Sequence, residues 1–314
     1  MNTETELKFR IPPARLAALR RAVATRSARV LPLAAAYVDT PGEHLARARC
    51  ALRLRREGDA WVQTLKAEGA SALQRLEHNV SLSATDTPAL DIARHDGTPA
   101  GQRLRALLAA AGPGQPLVER YATRVQRTHR LLRSGGAVVE LALDEGEVRA
   151  GERRLPLSEI EFELVSGPPA ALLALAARWA GRHGLVLDVR SKSELGHTLA
   201  AGLPGSPPSP ATRLRPAPDA AALLAQALRP VLANAGQIAA AWSTADHGQQ
   251  LHKALRRLRR LLARGCCGAA GRALVPSLAA LQAALVDGDA PVLLASPATQ
   301  RLWLDLLGLG LPAD

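Results

Sequence analysis

The sequence predicts an α+β protein, in which an antiparallel sheet or barrel is followed by a small all-helical domain. Eight short stretches that alternate like strands lie in the first 200 residues, and few helical patterns separate them. Residues 201–218 are rich in Pro, Gly and Ser and lack hydrophobic periodicity, which is typical of a linker. Beyond them, Ala and Leu recur at helical spacing. We therefore predict a first domain over residues 1–200, a linker over 201–218 and a helical domain over 219–314.

The predicted elements follow from the spacing of apolar residues and from the turn residues that separate them. Because connections long enough to join parallel strands are few, the strands are expected to pair antiparallel. The predicted strands are 3–10, 36–40, 50–57, 60–67, 74–82, 119–131, 137–149 and 158–166, and the predicted helices are 13–25, 100–111, 168–183, 219–229, 230–242, 247–264, 272–286 and 297–307.

The composition restricts the class of protein but does not identify a binding partner. The hydrophobic fraction of 47% is that of a folded globular protein, and the net charge of +12 suggests polyanionic partners. Three cysteines, two of them adjacent at 266 and 267, match neither a disulfide framework nor a zinc spacing, which favours a reducing compartment. The N-terminus opens with acidic residues instead of a signal peptide, and no uninterrupted apolar stretch of membrane-spanning length stands out. We therefore expect a cytoplasmic protein that does not enter a membrane.

The opening strand, TETELKFR, is charged along one whole face. Side chains alternate between the faces of a strand, so Glu4, Glu6 and Lys8 point to one side. Later strands repeat the pattern, and the signs are sorted: carboxylates dominate the first and last strands, and cations dominate those between. A solvated sheet face is the common reason for such alternation, but it would mix both signs, so the sorting favours binding. The later charged faces hold Arg53 and Arg55; Thr64 and Lys66; Arg75, Glu77 and Asn79; Glu140, Ala142 and Asp144; and Glu159, Glu161 and Glu163.

A closed barrel would bring these faces together around one small ligand. Carboxylates supply oxygen ligands to hard cations such as Mg²⁺ or Mn²⁺, and guanidinium groups bind phosphate oxygens in pairs. A metal-bound, multiply charged phosphate chain would satisfy both sets of side chains. Among 40 basic residues only Lys8, Lys66, Lys192 and Lys253 are lysines, which suggests that a compact ammonium is needed at some of these positions.

The same segments resemble the CYTH family, the triphosphate tunnel metalloenzymes. ETELK has the Glu-x-Glu-x-Lys form of that family's first strand, and YVDTP, LRLRR, TLK, QRLEHNVSL, ELALDEGEV and EIEFELVSG follow in the family's order. The resemblance spans nearly all of residues 2–200 and is strongest to bacterial CYTH proteins that carry a CHAD domain and hydrolyse inorganic triphosphate. It implies an antiparallel eight-stranded barrel that forms a tunnel and uses Mg²⁺ or Mn²⁺.

The resemblance also implies roles for individual residues. Arg127 matches the cation of its strand, with Arg124 as the competing register. Asp39 is as suited to capping its turn as to contacting a ligand. The implied metal ligands are Glu4, Glu6, Glu161 and Glu163, assisted by Glu140 and Asp144; the implied substrate ligands are Lys8, Arg53, Arg55, Lys66, Arg75, Arg127 and Lys192; and the residues implied in catalysis are Lys8, Tyr37, Lys66 and Glu77.

One motif departs from the family pattern. Where relatives read Ser-Lys, two residues and then Arg-Gly-Tyr, this chain reads SKSELGH. Leu195 thus replaces a phosphate-binding arginine, so affinity or substrate choice could differ. We expect His197 to be a helix-surface residue instead of a substitute for the missing arginine.

The helical half carries a second, looser resemblance. QLHKALRRLRRLLARG, with His252, Arg256, Arg259 and Arg260, is similar to the helix that opens a CHAD domain, a polyphosphate-binding family. Leu255 stands where that family tends to have arginine, and the half is about half the typical length, so a degenerate or truncated CHAD domain is implied. The alternative is an amphipathic helix whose basic face is only solvated. Nucleic acid is not an expected partner, because aromatic residues do not accompany the basic ones.

The leading functional expectation is hydrolysis of inorganic triphosphate to pyrophosphate and phosphate. One alternative is a protein that binds polyphosphate without cutting it, although a pure anion binder gains nothing from carboxylates around its ligand. Another is a triphosphatase for thiamine triphosphate or nucleotides, for which few apolar or aromatic pocket candidates are present.

Overall fold

The computed structural model describes residues 3–68, 74–83, 86–112 and 114–311, and the side chains of Thr3, Glu68, Gln74 and Arg75 are outside the description. The strands are β1 (Thr3–Arg10), β2 (Arg29–Asp39), β3 (Ala51–Glu57), β4 (Ala60–Glu68), β5 (Gln74–Leu82), β6 (Val118–Ser134), β7 (Ala137–Ala150), β8 (Arg153–Ser166) and β9 (Val186–Leu187). The helices are α1 (Pro13–Val23), α2 (His44–Arg47), α3 (Pro99–Ala111), α4 (Pro169–His183), α5 (Lys192–Ala200), α6 (Ala220–Ala239), α7 (Ala245–Ala263), α8 (Gly268–Ala273), α9 (Val275–Asp287), α10 (Ala290–Ala295) and α11 (Pro297–Gly308).

Eight strands close into an antiparallel barrel. The order is β5-β4-β3-β2-β6-β7-β8-β1, and β1 closes the ring because it pairs with β8 on one side and with β5 on the other. The two-residue strand β9 adds to β1 beside the closure, opposite Phe9 and Arg10. The predicted α+β class and antiparallel barrel with flanking helices are confirmed, with nine strands in place of the predicted eight.

The barrel is apolar outside where helices cover it. Phe9, Ile160 and Phe162 alternate with the inward-facing charges of β1 and β8 and are fully buried. They belong to one apolar cluster with Leu172 of α4 and Trp303 of α11. Burying each such side chain contributes about 1.5–3 kcal/mol. The charged face is thereby fixed toward the lumen, because a one-residue slip would bury charges against these helices.

The predicted helices 219–229 and 230–242 form a single helix, α6, although Pro230 lies inside it. Proline removes one backbone hydrogen bond at a cost of about 3 kcal/mol. Leu228, Val231 and Leu232 are buried around it, and Asn234 Nδ2 donates to the Pro230 carbonyl at 2.6 Å. Burial of these leucine and valine side chains therefore outweighs the tendency of Pro230 to end a helix. The prediction of two helices depended on that tendency.

Residues 203–218, most of the predicted linker, have no helix or strand but pack against the helices. The carbonyl oxygen of Ser206 accepts from Gln237 Nε2 at 2.9 Å and lies 3.0 Å from His247 Nε2. Ser209 N donates to Asn234 Oδ1 at 3.0 Å. The division into domains at 200 and 219 stays a prediction.

Within the described residues, one helical stretch, Gly268–Asp287, is long and apolar enough to cross a membrane by length and composition. Its mean hydropathy is 1.4 and 22% of its window is buried. This corrects the expectation that no such stretch exists. The stretch is weak evidence for a membrane span, because core helices of other proteins have the same composition, and the helix breaks at Leu274 between α8 and α9.

Candidate functional site

A cavity of about 850 Å³ occupies the lumen of the barrel. The structure brings the predicted site residues together around it, with Arg75 outside the described side chains. Residues from α5, α6 and the 203–210 segment complete the wall. The predicted residues that line the cavity are Glu4, Glu6, Lys8, Tyr37, Arg53, Arg55, Lys66, Glu77, Arg127, Glu140, Asp144, Glu161, Glu163 and Lys192.

Strand register places charges in rows across the wall. Lys8 of β1 is opposite Glu161 of β8, and Glu6 is opposite Glu163. Glu163 is in turn opposite Glu140 of β7. Directly opposite side chains in neighbouring strands lie about 5 Å apart, so carboxylates from three successive strands meet in one row.

One group of carboxylates lies around Lys66, and we call it the Lys66 group: Glu4, Glu6, Glu77 and Glu163. Lys66 Nζ lies 2.7 Å from Glu4 Oε2 and 2.9 Å from Glu77 Oε2. Burial raises the pKa of Glu4 to about 9, with further increases from Glu6 and Glu77, although Lys66 opposes it. The pKa of Glu77 is lowered: burial alone would raise it, but hydrogen bonds with Glu4 and Lys66 and the charge of Lys66 outweigh burial. Glu4 and Glu77 therefore share one proton at neutral pH.

Glu163 titrates near neutral pH for the same reason. Burial raises its pKa to about 7, and the carboxylates of Glu140, Glu77 and Glu6 add to the increase against the opposing charge of Lys66. Close carboxylates of this kind hold protons until a cation replaces them.

We expect the metal-free protein to lose stability as pH rises from about 6.5 toward about 9, because at lower pH the buried His95, whose pKa burial lowers to about 4, opposes the effect of Glu4 and Glu163. The native state keeps protons on Glu4 and Glu163 that the unfolded chain releases near its ordinary pKa of 4.5, so unfolding is favoured as pH rises through this window. Thermal midpoints measured in a chelator at constant ionic strength test this. Adding Mg²⁺ or Mn²⁺ should raise the midpoint more at pH 8 than at pH 6. A midpoint that climbs between pH 6.5 and 9 in the metal-free protein, or one that metal leaves unchanged, would contradict a preformed site.

A second group, which we call the carboxylate cluster, consists of Asp144, Glu159 and Glu161. One oxygen of each lies within 4.8 Å of the others, a spacing that could hold a metal ion. Lys192 Nζ contacts all three, and Lys8 Nζ lies 3.0 Å from Glu159 Oε2. Burial opposes ionisation, but Lys192 and then Arg127 lower the pKa of both Asp144 and Glu161. These two carboxylates are therefore ionised at neutral pH.

Arg127 faces the lumen and Arg124, three residues earlier on β6, is exposed. Arg127 Nε and Nη2 each lie 2.7 Å from an oxygen of Asp144, and Nη2 lies 2.5 Å from Glu161 Oε2. Of the two arginines considered for this strand, Arg127 therefore points into the site and Arg124 does not.

Two buried arginines on β3 present unused donors. Arg53 Nη1 donates to Tyr37 Oη at 2.9 Å, and Arg55 pairs with Glu57. Among the described residues, the buried Nε of each arginine has no acceptor. Other arginines outside the cavity share this feature, so it is the position of Arg53 and Arg55 in the lumen that makes them candidate anion ligands.

Sequence reasoning missed Glu159 as a site residue. It is only 4% exposed and contacts both Lys8 and Lys192. The signal was present, because Glu159 shares the face of Glu161 and Glu163. The resemblance named only the latter two, so Glu159 was left out.

The SKSELGH segment differs from expectation at His197. The His197 ring packs edge to face on Tyr121 at 5.0 Å, and its Nε2 lies 3.7 Å from Asp39, so it is not a helix-surface residue. Leu195 is buried with Tyr37 and Tyr121 and is absent from the cavity wall. Asp39 caps α2: it accepts from Leu45 N and Ala46 N, both at 2.9 Å.

A closed antiparallel barrel with buried carboxylates and cations in its lumen defines a class of tunnel-like proteins with a charged binding site. The CYTH domain model matches residues 2–194, and the chain therefore belongs to the CYTH family.

Similar proteins come from bacteria, plants and archaea. An inorganic triphosphatase of Haemophilus influenzae is 31% identical over 169 residues, which cover 52% of this chain and 45% of that protein. The chain therefore matches less than half the length of this curated relative. A Hippeastrum protein with a dominant triphosphatase activity has a TM-score of 0.43 and 18% identity, covering 63% of this chain and 96% of its own. A Pyrococcus horikoshii protein has a TM-score of 0.39 and 21% identity, and the match covers 61% of this chain and 97% of that protein.

Proposed function

We propose that this protein hydrolyses inorganic triphosphate to pyrophosphate and phosphate in the lumen of its barrel, with Mg²⁺ or Mn²⁺. The observation that carries the proposal is that the cationic side chains of Arg53 and Arg55 line the same cavity as the carboxylates of Glu161 and Asp144. An anion and a cation would both be bound there. The curated relative is named an inorganic triphosphatase, which supports the same reaction for this chain.

The residues present fit a divalent metal. The donors of the carboxylate cluster are carboxylate oxygens only, as suits a hard cation, and Glu159 Oε1 has an ion-pair contact with Lys192 but no hydrogen bond of good geometry. The proposed ligands are the predicted Glu4, Glu6, Glu140, Asp144, Glu161 and Glu163, with Glu159 added. When bound, the metal would neutralise phosphate charge and lower the pKa of a bound water for attack on phosphorus.

The cationic side chains would bind and orient the phosphate chain. Arg53 and Arg55 approach from β3, with Tyr37 fixing the Arg53 guanidinium. Lys8, Lys66, Arg127 and Lys192 would offset charge that develops on the phosphate oxygens, and such preorganised charge is a major source of catalysis. Glu77 would keep the Lys66 ammonium directed into the lumen at 2.9 Å.

The lining favours a substrate without a base. Among the described lining residues, the aromatic rings are those of Tyr37, His129 and His197, and His197 already packs on Tyr121. A nucleobase or thiamine ring gains much of its binding energy from aromatic stacking, for which this wall offers few rings.

The test is phosphate release by purified protein from inorganic triphosphate, long-chain polyphosphate, ATP and thiamine triphosphate, each with Mg²⁺ or Mn²⁺. We expect release from inorganic triphosphate to exceed that from the others and to disappear with a chelator. Release from none, together with tight retention of polyphosphate, would contradict the proposal and favour a binding protein, in which the basic residues of α7 would be the first candidates.

A further inference from the structure

The carboxylate cluster already encloses a cation that belongs to the protein. Lys192 Nζ lies 2.7 Å from Asp144 Oδ2, 2.5 Å from Glu159 Oε1 and 2.8 Å from Glu161 Oε1. Asp144 is fully buried and Glu159 nearly so. An ammonium among three carboxylate oxygens stands where a bound metal cation would be expected.

The lysine serves this position imperfectly. Glu159 Oε1 is buried and close to Nζ, yet it accepts no hydrogen bond from the described residues. A lysine ammonium has three N–H donors at tetrahedral angles, whereas a divalent cation takes six or more oxygen ligands and can bind carboxylates together with water. A divalent cation would therefore use this oxygen better than Lys192 does.

Charge balance restricts how a divalent cation can enter. Three carboxylates are contacted by three cations, Lys8, Lys192 and Arg127. Adding two positive charges without removing one would leave a buried excess of positive charge, which is costly in a site with little water. One of the three side chains must leave, or a polyanion must arrive together with the metal.

Lys192 is the side chain best placed to leave. Arg127 is held by a two-bond pairing with Asp144. Lys8 contacts only Glu159 of the three carboxylates, so its departure would not free the position between them, which Lys192 Nζ occupies. Lys192 is the first residue of α5, whose start is fixed independently by Ser191 accepting from Glu194 N. Its flexible four-carbon stem can therefore turn within the cavity while the helix stays in place.

We infer that Lys192 is an exchangeable counter-ion of the carboxylate cluster: a divalent cation displaces its ammonium from Asp144, Glu159 and Glu161, and the released ammonium binds phosphate oxygens. The inference rests on the proposed function and deepens it. Metal loading and triphosphate binding become coupled through one side chain, because the metal frees a group that the anion needs.

The first test measures Mn²⁺ binding by titration calorimetry in phosphate-free buffer. Lys192→Met keeps the length of the stem and removes the competing charge, so we expect Mn²⁺ to bind about tenfold more tightly than to the unaltered protein. Lys253→Met is the matched control, because it removes one charge from an exposed position on α7 and should leave the affinity unchanged. Equal or weaker binding by Lys192→Met would overturn the inference.

The second test uses the unaltered protein and does not depend on the variant folding. The chain has four lysines, so mass spectrometry after brief acetylation resolves each one. We expect Mn²⁺ to increase labelling of Lys192 relative to exposed Lys253. A gain at Lys66 without a gain at Lys192 would overturn the inference, because the cation would then enter the Lys66 group instead.

The outcomes separate this inference from the proposed function. Absence of any Mn²⁺ binding to the unaltered protein would contradict the proposed metal dependence and the exchange together. Binding of equal strength to the unaltered protein and to Lys192→Met would contradict the exchange alone.

Discussion

Replacing Glu161 with glutamine is expected to reduce triphosphate hydrolysis by about 10²–10³-fold or more while the barrel stays folded. Glu161 lies at the centre of the site, since it accepts from Lys192 Nζ at 2.8 Å and from Arg127 Nη2 at 2.5 Å. Glutamine preserves the size of the side chain but removes a negative charge and replaces one oxygen ligand. Both cations keep Asp144 as a partner, so the fold should tolerate the change.

The measurement is kcat for phosphate release, with circular dichroism and a thermal midpoint on the same samples. Glu152→Gln is the matched control, because Glu152 is exposed in the turn between β7 and β8 and the substitution is chemically identical. It should leave kcat unchanged. If Glu161→Gln retained metal-dependent activity near that of the control, the role proposed for Glu161 would be wrong.

Alternation along the strands was enough to predict which side chains face the lumen. Glu4, Glu6 and Lys8 share a face because of strand geometry alone, so no long-range information was needed. The same alternation placed Glu159 on the charged face of its strand, but the family resemblance gave it no role in the site. Closure of the barrel is different, because pairing of β1 with both β5 and β8 joins residues far apart in the chain. Only the family resemblance predicted it.

Features that depend on contacts between distant parts of the chain could not be predicted from the spacing of residues along the sequence. Pro230 signals a helix break, yet packing of α6 overrides it. His197 could be placed only when Tyr121 and Asp39 were known to lie beside it. The contact of Lys192 with the carboxylate cluster joins residues up to 48 positions apart, Asp144 and Lys192, and no sequence spacing reveals it. The polyphosphate-binding role of the helical half and its CHAD resemblance stay predictions.

Arg127→Leu is expected to lower the free energy of unfolding by about 3–5 kcal/mol, because it leaves buried carboxylates without their partner. Asp144 is fully buried and loses both guanidinium contacts, while Glu161 loses its shortest one. Lys192 alone would then balance much of this charge. The same change should weaken triphosphate binding, since a cation of the lumen is lost.

Arg124→Leu tests whether the effect belongs to the lumen or to the strand. Both arginines lie on β6, and each substitution removes a guanidinium group. Arg124 is exposed, however, and substitutions of exposed residues usually change the free energy of unfolding by no more than about 0.5 kcal/mol. Urea unfolding of both variants in a chelator gives the two free energies directly. Because excess carboxylate charge is what destabilises Arg127→Leu, added Mn²⁺ should recover part of its loss and none of the small change in Arg124→Leu. Equal losses in the two variants would mean that Arg127 does not balance the buried carboxylates.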